Sequence, residues 1–207
     1  MSSRLWFFLG LVTVLSVVTI VNSCSCIYSH PQEHYCFADF VAVVRVKSQG
    51  KGDVGITAYH IKVKKEFKMS EKARHALSQG LIWTSSHEAA CGVTLKPTRY
   101  LIAGRIRGEK PFVSLCHFVQ EWATLSSKQK KGFRKLYQQG CKCRVRMPSF
   151  VKNRREPYCL WDTYQAKNDC QSLYSLCSAQ YHNETEACSW VSTSQYRRCM
   201  KERKYEP

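Results

Sequence analysis

The residues best suited to bonding or metal chemistry are two cysteines separated by one serine, Cys24-Ser25-Cys26. In an extended segment, residues i and i+2 point to one face and residue i+1 points to the other. Both cysteines can therefore be tied inward by disulfides while Ser25 points outward. The simpler interpretation is that the bridges only hold a terminus that would otherwise fray.

If processing makes Cys24 the first residue, its α-amine and its own carbonyl oxygen form a five-membered chelating pair. An α-amine has an ordinary pKa of about 7.7–8.0 and binds a metal only when it is neutral. A catalytic zinc ion keeps one coordination position open for water. The chemistry available to this terminus is therefore displacement of that water, with the short Ser25 side chain entering the neighbouring pocket.

The first 23 residues have the composition of a secretory signal peptide. Arg4 supplies the positive charge, residues 5–21 are almost entirely apolar, and Val21-Asn22-Ser23 suits a cleavage site. An uncleaved anchor is the alternative, because the apolar run is near the lower length for a membrane span. We expect cleavage, which makes residues 24–207 a secreted chain of the extracellular space or matrix with no membrane span.

Cysteine content and charge narrow the class of protein further. The 207 residues include 12 cysteines, 32 Lys and Arg, and 15 Asp and Glu, so the formal net charge is +17. An even number of cysteines in a secreted chain predicts a disulfide framework. Zinc sites are the alternative, but Cys24-Ser25-Cys26 and Cys141-Lys142-Cys143 have one intervening residue instead of the usual two to four.

The elements that must position Cys24 are short strands followed by one helix. Ser126 with Gln129 forms a capping box, Phe133, Leu136 and Tyr137 give the helix an apolar stripe, and Gly140 ends it. This pattern predicts a mainly β fold, a small closed five-stranded barrel with a packed helix, of which the OB-fold is one type. After Cys141 the chain is loop-rich, and we expect a small disulfide-stapled subdomain over residues 142–207. The predicted strands cover residues 40–47, 57–67, 81–84, 100–107 and 112–119.

Several functional classes are excluded. The seven histidines lack H-E-x-x-H spacing, no G-x-S-x-G is present, and bridged cysteines leave no thiolate nucleophile. We therefore expect no enzyme and no cofactor or metal of its own.

The basic excess of a secreted chain favours sulfated glycosaminoglycan over nucleic acid, although a solvated surface is the simpler interpretation. The densest candidate cluster is Lys62, Lys64, Lys65 and Lys68. Asn183-Glu184-Thr185 is a candidate N-glycosylation site.

The segment from Cys24 to Cys36, with the pattern C-x-C-x3-H-P-Q-x3-C, resembles the start of the tissue inhibitors of metalloproteinases. Further landmarks follow in order and are dense up to Cys141: Cys91-Gly92, Tyr100-Leu101-Ile102-Ala103-Gly104, Cys116-His117-Phe118-Val119, Trp122, Gly132-Phe133, Gly140-Cys141, Cys159-Leu160-Trp161 and Cys188-Ser189-Trp190. The resemblance implies that residues 24–141 form a netrin-like inhibitory domain with an OB-type barrel and that residues 142–207 form a C-terminal subdomain.

The resemblance also implies a mechanism and a set of partners, the secreted zinc metalloproteinases. The amine and carbonyl of Cys24 would chelate the protease's catalytic zinc, and Ser25 would enter the S1′ pocket. Cys26, Ile27 and Tyr28 would lie along the primed side of the cleft. Glu88, Ala89 and Ala90, ahead of Cys91, would fill the unprimed side. The implied disulfides are Cys24–Cys91, Cys26–Cys116 and Cys36–Cys141.

The chain departs from the family pattern in two regions. Ile27-Tyr28-Ser29 replaces a segment that usually contains proline, and one small family disulfide after Cys141 is missing. By order along the chain, we expect the remaining pairs to be Cys143–Cys188, Cys159–Cys177 and Cys170–Cys199. The alternative function is a netrin-like module that binds glycosaminoglycan or a cell-surface partner and inhibits nothing.

Overall fold

A closed five-stranded barrel organises the N-terminal part of the computed structural model, which describes residues 23–150, 157–164, 166–182 and 185–203. The ring runs β1-β2-β3-β5-β4 and closes where β4 pairs again with β1, so a mainly β fold with a five-stranded barrel is confirmed. The β3–β5 contact is parallel, and the other pairings are antiparallel. The strands are β1 (Phe40–Gln49), β2 (Ile56–Met69), β3 (Leu81–Ser85), β4 (Arg99–Arg107) and β5 (Lys110–Phe112).

The structure differs from the sequence prediction after β4, where a turn and a sixth strand are found. The single strand expected over residues 112–119 is wrong, because β5 ends at Phe112 and β6 (Phe118–Glu121) starts a separate pairing with β4. Between them the chain turns, with the His117 N–H donating to the Ser114 carbonyl at 3.0 Å. The sequence does not reveal this turn, because Leu115 within it is apolar and would be expected in a buried strand, although its side chain is exposed.

Two short helices were not predicted. Helix α1 (Pro31–Phe37) begins after His30, whose Nδ1 accepts from the Gln32 N–H, and has Pro31 in its first turn. Helix α2 (Glu71–Ser78) is capped by the Ser70 hydroxyl, which accepts from the Ala73 N–H. Helices this short depend on tertiary packing, so their sequence signal is weak.

The predicted helix starts with the capping box of Ser126 and Gln129, in which each side chain bonds the other residue's backbone. It runs as α3 (Ser127–Lys131), a π-helical stretch (Gly132–Leu136) and α4 (Tyr137–Gly140). Gly140 is the last residue of α4, and glycine is required there because a Cβ would lie 2.5 Å from the Cys177 carbonyl oxygen.

Both faces of β1 are buried from Phe40 to Val44, which explains the apolar composition of this part of the strand. One face points into the barrel, where Phe40, Ala42 and Val44 join the central core under α2. The other face carries Val41 and Val43, which lie with β4 residues under α1 and the α3–α4 helix. Helix α1 and the α3–α4 helix therefore cover one outer side of the barrel, whereas α2 packs against the central core.

The C-terminal part has its own small core, in which Trp161 packs with Met147, Val145 and three bridged cysteines. Strands β7 and β8 pair in parallel, and β9 and β10 pair antiparallel. No helix among the described residues is long and apolar enough to cross a membrane. The elements are β7 (Arg144–Arg146), β8 (Tyr158–Leu160), α5 (Cys170–Tyr174), β9 (Cys177–His182), β10 (Thr185–Trp190) and α6 (Ser194–Arg203).

All twelve cysteines are paired, and the pairs are the ones expected from the sequence and its resemblance. The pairs are Cys24–Cys91, Cys26–Cys116, Cys36–Cys141, Cys143–Cys188, Cys159–Cys177 and Cys170–Cys199. The predicted signal peptide, apart from Ser23, and the candidate glycosylation site Asn183 lie outside the described residues.

Candidate functional site

The segment from Cys24 to Tyr28 forms a raised ridge on the surface of the barrel. Exposure alternates along it: Cys24 and Cys26 are half-buried, and Ser25 between them is exposed. Beyond them Ile27 is 71% exposed and Tyr28 is 66% exposed. The alternation is the one that an extended segment with two inward cysteines should have, so the Ser25 side chain is directed to solvent.

Two neighbouring disulfides hold the ridge. The Cα atoms of Cys24 and Cys91 are 4.9 Å apart, and those of Cys26 and Cys116 are 5.1 Å apart. The four sulfur atoms lie within 4.8 Å of one another. Because all four are bonded in pairs, the cluster offers no thiolate to a metal ion, and its role is to fix the ridge.

A short turn lies beside the ridge and carries the three residues expected to flank it. The turn is a 3₁₀ helix, Glu88–Ala90, with all three residues exposed. Cys91 follows with φ of 59°, an uncommon left-handed conformation for a residue with a side chain. Its carbonyl accepts from the Leu115 N–H at 2.9 Å. This backbone geometry turns the chain so that the Cys91 sulfur reaches Cys24.

Gly92 makes the turn possible. A Cβ at this position would lie 2.1 Å from the Ser85 carbonyl oxygen, so no other residue fits without moving β3 or the turn. The two neighbouring residues have different roles. Cys91 is needed for the disulfide with Cys24, and Gly92 is needed because the backbone approaches β3 too closely for a side chain.

The ridge stands between two open hollows of about 370 Å³ and about 850 Å³. Ile27 and Tyr28 of the ridge, and Ser29 directly after it, line both hollows, so this end of the ridge projects from its surroundings. Such a narrow, convex segment can enter a cleft on another protein.

One buried and two half-buried histidines lie at the base of the ridge. His30 is fully buried, and burial lowers its pKa to about 3. Its Nδ1 accepts from the Gln32 N–H, so Nε2 carries the proton and donates to the Gln171 carbonyl oxygen at 3.3 Å. Burial also lowers the pKa values of His34 and His117 to about 4, and Arg107 and Arg105 add to the effect at His117.

Helix α1 ties this base to the C-terminal part through buried polar groups. The Gln32 side chain donates to the carbonyls of Gly140 and Cys177 and accepts from the Cys177 N–H, each at 2.9 Å. The Glu33 carboxylate accepts from the Val145 N–H at 2.8 Å and lies 3.2 Å from the Arg144 guanidinium. The ridge, α1 and the C-terminal core therefore pack as one unit.

Comparison with known proteins identifies the family of the chain. The sequence model of the family described as tissue inhibitor of metalloproteinase matches residues 22–190. The chain belongs to the tissue inhibitor of metalloproteinase family.

Members of the family from distant animals resemble the chain over most of its length. A tissue inhibitor of metalloproteinase from Drosophila melanogaster is 30% identical, covering 93% of this chain and 96% of the relative. Metalloproteinase inhibitor 2 from Homo sapiens is 30% identical, covering 88% and 87%. Metalloproteinase inhibitor 3 from Scyliorhinus torazame is 31% identical, covering 83% and 82%.

In this member of the tissue inhibitor of metalloproteinase family, the predicted lysine cluster is divided. Lys62, Lys64 and Lys65 are exposed on β2. Lys68 is half-buried, and its ammonium donates to the carbonyls of Tyr35 and Cys36 at 3.1 and 2.8 Å. Burial lowers the pKa of Lys68. Lys68 therefore holds the end of α1 and is not free to bind a ligand.

Sequence reasoning did not assign the supporting roles of His30, Gln32 and Trp161, although the first two lie in the motif that carries the family resemblance. The available signal was local: Pro31 follows a residue able to cap a helix, and Glu33 lies in the first turn. Their partners are more than 100 residues away, and local patterns cannot supply such contacts.

Proposed function

We propose that the mature chain, residues 24–207, is a secreted inhibitor of zinc metalloproteinases, with the ridge as the segment that enters the protease cleft. Family membership and the names of its relatives, which are metalloproteinase inhibitors, support this proposal. The observation that carries it is the double-bridged ridge, in which Ser25 is exposed between two anchored cysteines.

The zinc-binding group is the backbone of Cys24. After cleavage behind Ser23, the neutral α-amine and the carbonyl oxygen of Cys24 bind the catalytic zinc of the protease as a chelating pair. They occupy the position that the protease keeps for its water nucleophile. The Cys24–Cys91 bridge holds this pair in place before binding, which reduces the entropy lost on association.

The neighbouring residues select the protease. Ser25 enters the S1′ pocket with a short polar side chain, while Cys26, Ile27 and Tyr28 follow the primed side. The exposed turn Glu88–Ala90 contacts the unprimed side. Exposure of Ile27 and Tyr28 in the free chain supplies apolar area that an interface can bury.

The experiment is an inhibition titration of refolded residues 24–207 against several secreted zinc metalloproteinases. A matched variant carries one additional alanine before Cys24, which removes the free Cys24 amine and leaves all six disulfides intact. We expect stoichiometric inhibition by the native chain and loss of most inhibition in the extended variant.

Two results would contradict the proposal. Equal inhibition by both chains would show that the Cys24 amine does not bind zinc. No inhibition by either correctly folded chain would favour the alternative, a netrin-like module that binds a partner without inhibiting a protease.

A further inference from the structure

The smaller of the two hollows beside the ridge is rich in arginine. Ile27 and Tyr28 of the ridge line it, so a partner that receives the ridge also lies over this hollow. The histidines that line it are neutral at pH 7, because burial lowers their pKa values to about 3 or about 4. Among the described residues, three arginines against one glutamate leave a formal charge of +2. We call it the arginine hollow, and its charged lining residues are Glu33, Arg105, Arg144 and Arg146.

Strand β4 and helix α1 position Arg105. Ala103 lies two residues earlier on β4, shares its face and packs in the outer core under α1. Arg105 therefore lies at the end of α1, where its Nε donates to the carbonyl of Phe37, the last helical residue, at 3.2 Å. This bond satisfies a carbonyl that the helix leaves without a partner. The two terminal nitrogens of the exposed Arg105 side chain have no hydrogen bond to a described residue.

Helix α1 also positions Arg144. Glu33 and Phe37 are four residues apart on α1, so they face the same side. The Arg144 guanidinium lies 3.2 Å from the Glu33 carboxylate and 4.4 Å from the centre of the Phe37 ring. Arg146 is two residues further along β7 and shares the face of Arg144. Because these contacts orient Arg105 and Arg144 in the free chain, less side-chain entropy is lost when a partner binds.

Glu33 does not neutralise the arginine hollow. Its side chain is only 11% exposed, and a backbone N–H of β7 and one arginine already bind its carboxylate. The positive charge also acts on the neighbouring imidazole, because Arg107 and Arg105 contribute to the low pKa of His117. Asp39 opposes this effect, but less strongly than either arginine. A positive potential therefore remains for a partner to meet.

The floor of the arginine hollow is apolar, and its size suits a side chain. Its volume is about 370 Å³, and two exposed phenylalanines, Phe37 and Phe150, line its edge. A guanidinium binds a carboxylate through two parallel N–H···O bonds, and an apolar floor accommodates the hydrocarbon stem that carries the carboxylate. The hollow therefore fits an acidic side chain of a protein. Its buried apolar lining residues are Ala38, Ala103, Val145 and Met147.

We propose that the arginine hollow binds an aspartate or glutamate side chain on the rim of the protease cleft, next to the primed side that Ile27 and Tyr28 follow. The inference rests on the proposed function, because the ridge is what brings the rim of the protease to the hollow. The terminal nitrogens of Arg105 bind the carboxylate, and Arg144 and Arg146 add positive charge. The hollow thus selects metalloproteinases that carry a carboxylate at this part of the rim.

The test measures inhibition constants of the mature chain against secreted metalloproteinases that have either an acidic or a neutral residue at this part of the rim. A hollow variant carries Arg105→Gln and Arg146→Gln, whereas Arg144 is retained because a buried carboxylate depends on it. A control variant carries Arg45→Gln and Arg99→Gln, at exposed positions of β1 and β4 outside the hollow. Circular dichroism and urea unfolding check that each variant is folded.

The hollow variant should inhibit proteases with an acidic rim about tenfold more weakly or worse, because a hydrogen bond to a charged group contributes that much. The control variant should lose less than about threefold. For one protease, the rim carboxylate is also replaced by its amide, which completes a double-mutant cycle. Against that neutral protease, the hollow variant should lose little beyond what the native chain has already lost.

Three results would overturn this inference and leave the proposed function intact. They are equal inhibition of both groups of proteases by the native chain and the hollow variant, an equal loss in the control variant, and additive losses in the cycle. The second would mean that net charge explains the loss, and the third that the arginines contact another group. If the native chain inhibits none of the proteases, the proposed function fails and this inference fails with it.

Discussion

The ring of Tyr28 lies against the indole of Trp161, with the ring centres 6.5 Å apart and the planes inclined by 49°. Tyr28 is on the exposed ridge, and Trp161 is 3% exposed in the C-terminal core. The same indole meets the edge of the His30 ring at 5.4 Å. The C-terminal part thus supports the ridge directly, in addition to its contacts with α1.

This contact predicts separable effects of two substitutions. Tyr28→Ala should change the free energy of unfolding by less than about 1 kcal/mol, because the side chain is 66% exposed, and should weaken inhibition. Trp161→Ala should cost about 3–5 kcal/mol of stability, because it empties a buried site. Urea unfolding and inhibition titrations measure the two effects. Unchanged inhibition by folded Tyr28→Ala against every protease tested would contradict a role of Tyr28 on the primed side.

Ser25 should control selectivity without affecting the fold. Its side chain is exposed, so Ser25→Val should change stability by no more than about 0.5 kcal/mol. Inhibition constants across a panel of metalloproteinases should change by roughly tenfold or more for some members, because one side chain in a specificity pocket contributes that much. Ser48→Val, at an exposed position of β1, is the matched control. If both variants leave the ranking of the proteases unchanged, Ser25 does not occupy the pocket.

Gln32 should be important for stability despite being polar. Gln32→Leu would leave the Gly140 carbonyl, the Cys177 carbonyl and the Cys177 N–H without the partner they have now. Each buried polar group left unsatisfied costs about 1–3 kcal/mol, so we expect a loss of about 3 kcal/mol or more. Gln138→Leu, on the exposed side of α4, should cost less than about 1 kcal/mol. Denaturant midpoints that fall equally in both variants would contradict this assignment.

Burial of His30 should make the free energy of unfolding depend on pH in the acid range. Its pKa is about 3 in the folded chain, against 6.5 as the ordinary value, so the unfolded chain takes up the proton first as pH falls. Stability should be complete above about pH 6.5 and decrease towards pH 3, by up to about 1.4 kcal/mol per pH unit for this group.

The test measures urea midpoints at about pH 7.5 and about pH 4.5 for the native chain and for His30→Asn. The variant should show a smaller difference between the two pH values, with the remainder due to His34 and His117. His75→Asn, at an exposed position of α2, should retain the native difference. An unchanged difference in His30→Asn would show that His30 does not carry the acid sensitivity.

Much of the barrel could be predicted from the sequence because its strands satisfy local rules. The alternation in β2 and the buried run in β1 are visible directly, and so is the capping box at Ser126. The predicted strand over residues 112–119 failed because Leu115 and Cys116, in the middle of the turn from Ser114 to His117, are apolar and hide it within a run of strand-forming residues. Periodicity cannot detect a turn whose central residues are apolar like those of the flanking strands.

The candidate site could be located from the sequence, but its geometry could not. Spacing alone suggested that Ser25 is exposed between two inward cysteines. Nothing local indicates that Cys91 has a left-handed backbone, because glycine is the residue expected there and it comes one position later. The support from Gln32 and Trp161 depends on contacts across the chain that only the folded structure brings together.

The two disulfides of the ridge also limit the entropy that would be released if a protease hydrolysed the ridge. If the peptide bond between Cys24 and Ser25 were hydrolysed, one new end would stay attached through Cys91 and the other through Cys116. The two ends would remain at high effective concentration, so the translational entropy that normally drives proteolysis would not be released. Hydrolysis at this bond would yield no diffusible product, and resealing would compete with it.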